Sequence, residues 1–203
     1  PTLDYLWQNS VRNGLFFQHI IHSGYNIYLS IQLAKVFLIR QDPRWQTLFK
    51  NILASASRTW TWPEAIHPKT GGGCMGDGDH GWAAAEFISL IRDMFVFELQ
   101  HSLHLGAGLL SEWYDLLHSN DEEAKNETAN NDLKYINGLF TRQKQGSIRK
   151  KNQSITIDNA STLHGNVSYS LVKHHNDIIL TWTIQRNKLQ TKVPVYFICT
   201  SLK

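Results

Sequence analysis

The spacing of hydrophobic positions changes once along the chain, from a helical to an extended period. In residues 26–40, Ile27, Ile31, Ala34 and Leu38 follow a 4-3-4 spacing, which puts them on one face of an amphipathic helix. Asn26 stands where the N-cap of that helix belongs. Asp42 followed by Pro43 reads as a second N-cap with proline at the first helical position, opening a helix through Trp45, Leu48, Phe49, Ile52 and Leu53. So short a connection predicts an antiparallel helix hairpin. Ala84, Ile88, Ile91 and Phe95 repeat the helical spacing over residues 80–99. On this reading the first part of the chain is all helical.

From residue 118 to 134 the composition turns to Asn, Asp, Glu, Lys and Ala with little apolar content, the pattern of a linker or long loop. Beyond it the period is two. Val167, Tyr169 and Leu171 alternate with polar residues, as do Ile178, Leu180, Trp182 and Ile184, and then Val193, Val195, Phe197 and Cys199. His175-Asn176-Asp177 is placed for a hairpin turn, and Arg186-Asn187-Lys188 for another. The expectation is an α+β chain: a helical portion at 1–117, a linker at 118–134, and at 135–203 an antiparallel sheet forming part of a β-sandwich. No short internal repeat is present.

The bulk properties narrow the picture. With 203 residues and 42% hydrophobic content the chain can bury a core. The net charge is +3, but the cations are scattered apart from Arg149-Lys150-Lys151, which argues against nucleic acid as a partner. Every apolar run is broken before the about 18 residues a membrane helix needs, so no membrane partner is expected. Cys74 and Cys199 lie too far apart to suggest a disulfide framework. The compartment stays open; the lack of a signal-peptide pattern favours cytoplasmic over secreted. Beginning at Pro1 without Met, the chain reads as processed or excised from something longer.

The chemistry concentrates in residues 61–82. There one glutamate, two aspartates, two histidines and two tryptophans surround a loop of six glycines that leads into the third helix. Glycines let a backbone approach a ligand closely, aromatic rings offer flat faces to sugars, and carboxylates offer proton transfer. Carbohydrate chemistry uses all three. A zinc reading of His67, His80, Asp77, Asp79 and Cys74 fails on spacing, with neither a cysteine pair nor two histidines four apart on a helix. Calcium lacks the spacing of an EF-hand loop. No metal is therefore expected.

The runs Trp62-Pro63-Glu64-Ala65-Ile66-His67-Pro68, Gly71-Gly72-Gly73-Cys74-Met75-Gly76-Asp77-Gly78 and His80-Gly81-Trp82-Ala83-Ala84-Ala85-Glu86 resemble the six-hairpin (α/α)6-toroid glycosidases, relatives of glucoamylase, glycogen-debranching glucosidase and maltose phosphorylase. Weaker echoes lie in the segment from His22 to Leu29 and in that from Leu103 to Leu109, which is followed by Glu112-Trp113. The resemblance covers residues 15–115. It implies the C-terminal helix hairpins of a toroid, commonly flanked by a β-sandwich, acting on α-glucosides or related glycans without an organic cofactor. It also implies that the remaining toroid helices lie elsewhere in a longer chain, and that Ile27, Ile31, Ala84, Ile88 and Ile91 face them. The alternative is a non-catalytic carbohydrate-binding or scaffold segment.

Glycosidases of this kind need two carboxylates, about 6.5–9.5 Å apart in the inverting case. Glu64, between Pro63 and Ala65-Ile66, is one candidate, against a bland role pairing with Lys69; Asp77 is the other. Asp79 reads as a helix N-cap or a sugar ligand. Trp62 and Trp82 are stacking candidates, against burial in the core. His67 and His80 are placed to bond sugar hydroxyls or backbone carbonyls. The resemblance carries His19, His22, Tyr25 and Asn26 over as subsite candidates, because toroid sites lie at the loop end of the inner helices. Glu86 and Glu98 read as solvated or paired residues of the third helix.

Overall fold

A computed structural model describes residues 2–19, 23–76, 78–118, 154–174, 177–185 and 193–198. The protein is mixed α and β with mainly antiparallel sheets. Its described residues fall into two compact units: residues 2–110 with 162–164 and 193–198, and residues 111–118 with 154–161, 165–174 and 177–185.

In the first unit α1 (Thr2–Ser10) leads into a five-stranded antiparallel sheet of short strands in the order β1 (Val11–Arg12), β2 (Leu15–Gln18), β3 (Gly24–Asn26), β4 (Ala65–Ile66), β5 (Gly73–Met75). These strands correct the expectation of an all-helical first part. At two to four residues each they are too short to show an alternating pattern, and their pairing across about 40 residues is decided by the packing of the helices between them.

The helices between β3 and β4 are α2 (Ile27–Ile39) and α3 (Arg44–Ala54), and α4 (Gly81–Phe95) follows β5. Asn26 caps α2 as expected, its side-chain oxygen accepting from the Leu29 N–H at 2.8 Å. The second start falls one residue later than expected, with Pro43 (φ −61, ψ −14) as the N-cap residue and Arg44 first in the helix, while Asp42 Oδ1 accepts from the Arg44 N–H at 3.1 Å. The two helices pack together, burying Ile27, Ile31, Ala34 and Leu38 against Trp45, Leu48, Phe49 and Ile52, while Leu53 is only half-buried. Each leucine, isoleucine or phenylalanine among them contributes about 1.5–3 kcal/mol relative to exposure. Ile27 and Ile31 are thus covered within this unit, against the expectation that they face missing helices. Ile88 is exposed, at 71%.

Arg44 fastens α1 to this pair. Its guanidinium pairs with Asp4 at 2.9 Å and with Asp42, and lies over the Phe37 ring at 4.4 Å. Both carboxyls are held below their ordinary values by the bonds Arg44 donates.

The third helix ends at Phe95 rather than continuing to residue 99. Gly106 N–H donates to the Phe95 carbonyl and Gly108 N–H to that of Met94, so a neighbouring turn satisfies the helix end. The chain continues as β6 (Val96–Leu99), turns through Gln100 (φ 54), and returns as β7 (Ser102–Leu105). The strand β11 (Val195–Phe197) joins β7 in parallel, so this alternating run belongs with β6 and β7 instead of the C-terminal antiparallel sheet. Glu98 therefore sits on a strand and not on a helix.

In the second unit α5 (Ser111–His118) packs on β9 (Gly165–His174), the middle strand of an antiparallel sheet with β8 (Ser154–Thr162) and β10 (Asp177–Gln185). Val167, Tyr169 and Leu171 are buried, as their alternation predicts. Asp177 pairs with His174 across the expected turn, although His175 and Asn176 lie outside the described residues, as do Arg186-Asn187-Lys188 and the expected linker at 118–134 except His118, which ends α5.

Candidate functional site

The Glu64 segment is fixed at its first residue by burial. Trp62 is 1% exposed, its indole N–H donates to the Ile52 carbonyl at 3.0 Å, and its ring packs on Phe87 at 4.9 Å. Trp62 is therefore part of the core and has no ring face left for a sugar, which corrects its reading as a stacking residue. After Pro63 and Glu64, β4 enters the sheet, with Asn26 opposite Ala65 and Tyr25 opposite Ile66. The side chain of Glu64 is half-buried and lies over Gly76, where a β-carbon would stand 2.8 Å from Glu64 Oε2. Gly76 also has φ 65, so glycine is required there twice over. No ion pair joins Glu64 to Lys69 among the described residues.

The β4–β5 loop is ordered by His67. Its Nδ1 accepts from the Lys69 and Thr70 N–H groups, each at 3.2 Å. In the neutral ring the proton then sits on Nε2, which leaves that nitrogen as the donor toward any ligand. The expectation that His67 donates to backbone carbonyls gives way to a ring that accepts from backbone amides.

At the other side of the loop the N–H of His80 donates to the Trp62 carbonyl at 2.7 Å. This bond ties the start of α4 to the strand that leads into Glu64. His80, with extended angles (φ −73, ψ 106), is the N-cap residue of α4 and makes no side-chain cap bond. Asp79 is exposed and not the N-cap, which corrects that part of its reading. His80 Nδ1 is enclosed without a hydrogen-bond partner among the described residues. Its ring meets Tyr28 edge-on at 6.2 Å and Trp82 at 5.8 Å.

Trp82 is 69% exposed and lies 5.9 Å from Tyr28, with their planes 48° apart. Tyr28 is half-buried, and its hydroxyl accepts from Gln32 Nε2 at 2.8 Å. Sequence reasoning missed Tyr28. The available signal was its place in the first turn of α2, off the face that carries Ile27 and Ile31.

The four subsite candidates before α2 separate. Asn26 is 3% exposed and spends both ends of its amide on the fold, accepting from Leu29 N–H and donating to Gln18 Oε1 at 2.7 Å. It has no group left for a sugar, a second correction. Tyr25 is half-buried, accepts from Asn13 Nδ2 at 2.6 Å and packs edge-on against Phe17. His19 is exposed, with Nδ1 3.3 Å from Ser23 Oγ. His22 and Asp77 lie outside the described residues.

Farther along α4 the expected pairing of the acidic residues is present. Lys35 Nζ on α2 reaches Glu86 at 3.3 Å, Asp93 at 3.5 Å and Ser89 Oγ at 2.8 Å, and Arg92 reaches Glu98 at 3.3 Å. Burial pushes the Asp93 carboxyl up, against the opposing pull of Lys35 and Arg92. Asp93 is eleven residues beyond Trp82, about 16 Å along the helix, and so does not share the aromatic cluster. Among the described residues no three His, Cys, Asp or Glu side chains gather as metal ligands, and no helix is long and apolar enough to cross a membrane.

The assembled features are a half-buried carboxylate over a glycine turn, a histidine with a free donor nitrogen, and an exposed tryptophan flanked by Tyr28 and His80. No protein-family model, curated protein or solved structure matches this chain.

Proposed function

We propose that this chain is a portion of a glycoside hydrolase acting on α-glucosides or related glycans, its helices belonging to an (α/α)6 toroid and its second unit to a β-sandwich. The observation that carries the reading is the His80–Trp62 backbone bond, which ties the exposed Trp82 and the Glu64 carboxylate to one loop system. In this reading Trp82 stacks on a sugar ring. Glu64 takes a proton from water or a hydroxyl, while a second carboxylic acid protonates the leaving oxygen, with Asp77 the candidate for it. His67, through Nε2–H, is a donor for a sugar hydroxyl, and His19, His22, Tyr25, Asp79 and His80 remain subsite candidates.

The remaining toroid helices would be the partner of the exposed side of α2 and α4. The sequence of α2 is apolar nearly all round, which is the composition of a helix covered on every side. Yet Val36 is 42% exposed on α2, and Ile88 71% on α4.

A second reading, non-catalytic glycan binding, draws on the same exposed ring. Release of reducing sugar from maltooligosaccharides by the complete protein, with the remaining toroid helices present, separates the two. On the catalytic reading Glu64→Gln abolishes release and preserves binding; on the binding reading wild type releases none.

A further inference from the structure

The strand β10 is nine residues long, and among the described residues it pairs on one side only, with β9. Its outer side carries a row of backbone N–H and C=O groups, the template on which a further strand adds. Nothing in its sequence blunts that edge: the run from Ile178 to Ile184 contains no charge, proline or glycine. Ile179 and Trp182 are 48% and 45% exposed, and Thr181 and Thr183 are exposed as well. The opposite edge of the sheet, β8, is protected. There Asp158 is exposed, and Asn159 has a left-handed backbone (φ 55) with its N–H turned to Ser168 Oγ at 2.9 Å, which interrupts the extended run.

The sequence of β10 is symmetric about Thr181. Leu180 and Trp182 flank it directly, and Ile178 and Ile184 stand at equal distances beyond. These four share the face on which β9 buries Val167, Tyr169 and Leu171, because Leu180 pairs with Leu171, Trp182 with Tyr169 and Ile184 with Val167. Against a second copy run antiparallel about Thr181, Leu180 meets the partner's Trp182 and Ile178 meets the partner's Ile184. The single charged residue of the strand, Asp177, stands opposite the partner's Gln185, so no like charges meet. A slip of one residue would set the apolar face against the polar one.

We infer that β10 is a self-association edge, through which two copies of this chain pair antiparallel about Thr181 and join their three-stranded sheets into one. Identical strands paired in this way form an isologous contact, which closes at two copies. The inference is independent of the glycan reading.

The test is sedimentation velocity of the 203-residue chain from about 1 to about 100 μM, where wild type is expected to pass from monomer to dimer. Thr181→Lys and Thr181→Glu each put like charges on the two-fold axis and should weaken the dimer by about tenfold or more. Mixing the two variants should restore it, since opposite charges then face each other. Thr181 is exposed, so an unchanged circular dichroism spectrum is expected of both. Ile88→Lys, on the exposed side of α4, should leave the dimer intact. As a second readout, Thr181→Cys should form a disulfide-linked dimer in oxidising buffer, its α-carbons about 4.5–5.5 Å apart. Thr183→Cys should not, its α-carbons being about 14 Å apart in the same register. A wild type that stays monomeric overturns the inference, as does a dimer that ignores the charge at residue 181 or is lost in Ile88→Lys. Filaments growing with concentration, or equal cross-linking of the two cysteine variants, overturn it as well.

Discussion

The Glu64 carboxylate lies directly over Gly76: a methyl group at residue 76 would stand 2.8 Å from Glu64 Oε2 and 2.9 Å from its Cβ. Gly76→Ala is therefore expected to displace Glu64. It also forces a β-carbon into the left-handed region, at about 1–2 kcal/mol. Gly72→Ala is the control, since its nearest contact is at 3.7 Å and no left-handed angle is involved; it should stay within about 0.5 kcal/mol of wild type. Urea denaturation of both variants checks the difference, and equal midpoints would refute the packing of Glu64 on Gly76.

The two tryptophans that flank the glycine loop should behave oppositely. Trp62→Ala removes a buried ring and one of the hydrogen bonds to the Ile52 carbonyl, which keeps those from Ser55, at an expected cost of about 3–5 kcal/mol. Trp82→Ala changes an exposed ring and should cost no more than about 0.5 kcal/mol. A stability loss at Trp82 as large as that at Trp62 would show that the ring is covered in solution.

His104 stacks between Phe97 at 4.7 Å and Tyr196 at 5.2 Å, its register partners on β6 and β11. Ser102 Oγ lies 2.9 Å from Nε2, while Nδ1 is enclosed without a partner among the described residues. Burial holds the ring below its ordinary value. The unfolded chain therefore takes up the proton first as pH falls. The stability from the neutral ring is complete above the unfolded value of about 6.5 and is lost as pH falls below it toward the folded value. His104→Phe, which keeps an aromatic in the stack, should flatten the stability curve in that window. An unchanged slope from pH 7 to 5 would count against the enclosed site.

Asp93 should act in the reverse sense. Its folded value is raised by burial, so its contribution is fully present below the unfolded value of about 3.9 and lost as pH rises through the folded one. Asp93→Asn should remove this loss and leave the protein relatively more stable on the alkaline side of the window. Lys35→Met should deepen it, because the nearby ammonium favours the charged carboxylate. Thermal melts of the two variants across pH 3–7 test the sign; parallel curves for Asp93→Asn and wild type would show that the carboxyl titrates as it does in the unfolded chain.

The parts of the fold legible from sequence are those made by local rules. The Asn26 cap, the Asp42-Pro43 start, the helix pair they open and the alternation of β9 depend on side chains a few residues apart. Their chemistry acts before any long-range contact forms. The end of α4 was not legible, because Val96 and Phe97 fit a helical spacing as well as a strand. The turn at Gly106 and Gly108, closing on the carbonyls of Phe95 and Met94, settles the matter.

The candidate site divides along the same line. Residue type alone marked residues 61–82 as the place where reactive groups are dense, with Glu64, His67, His80 and two tryptophans near one another in the chain. It could not tell Trp62 from Trp82, since an indole packs on Phe87 or faces solvent with equal ease and only the neighbouring helices choose. Nor could it pair Tyr28 with Trp82, 54 positions apart, or show Asn26 consumed by its cap and by Gln18. Sequence by itself determined the α2–α3 pair, the position of α4, the strands β9 and β10 and where reactive groups are dense, because those properties are set by short-range periodicity and composition, while α1, α5 and β8 carried too weak a pattern to be read. The tertiary structure alone decided which aromatic faces are open and which polar groups are spent, because exposure depends on what distant segments bring against each side chain.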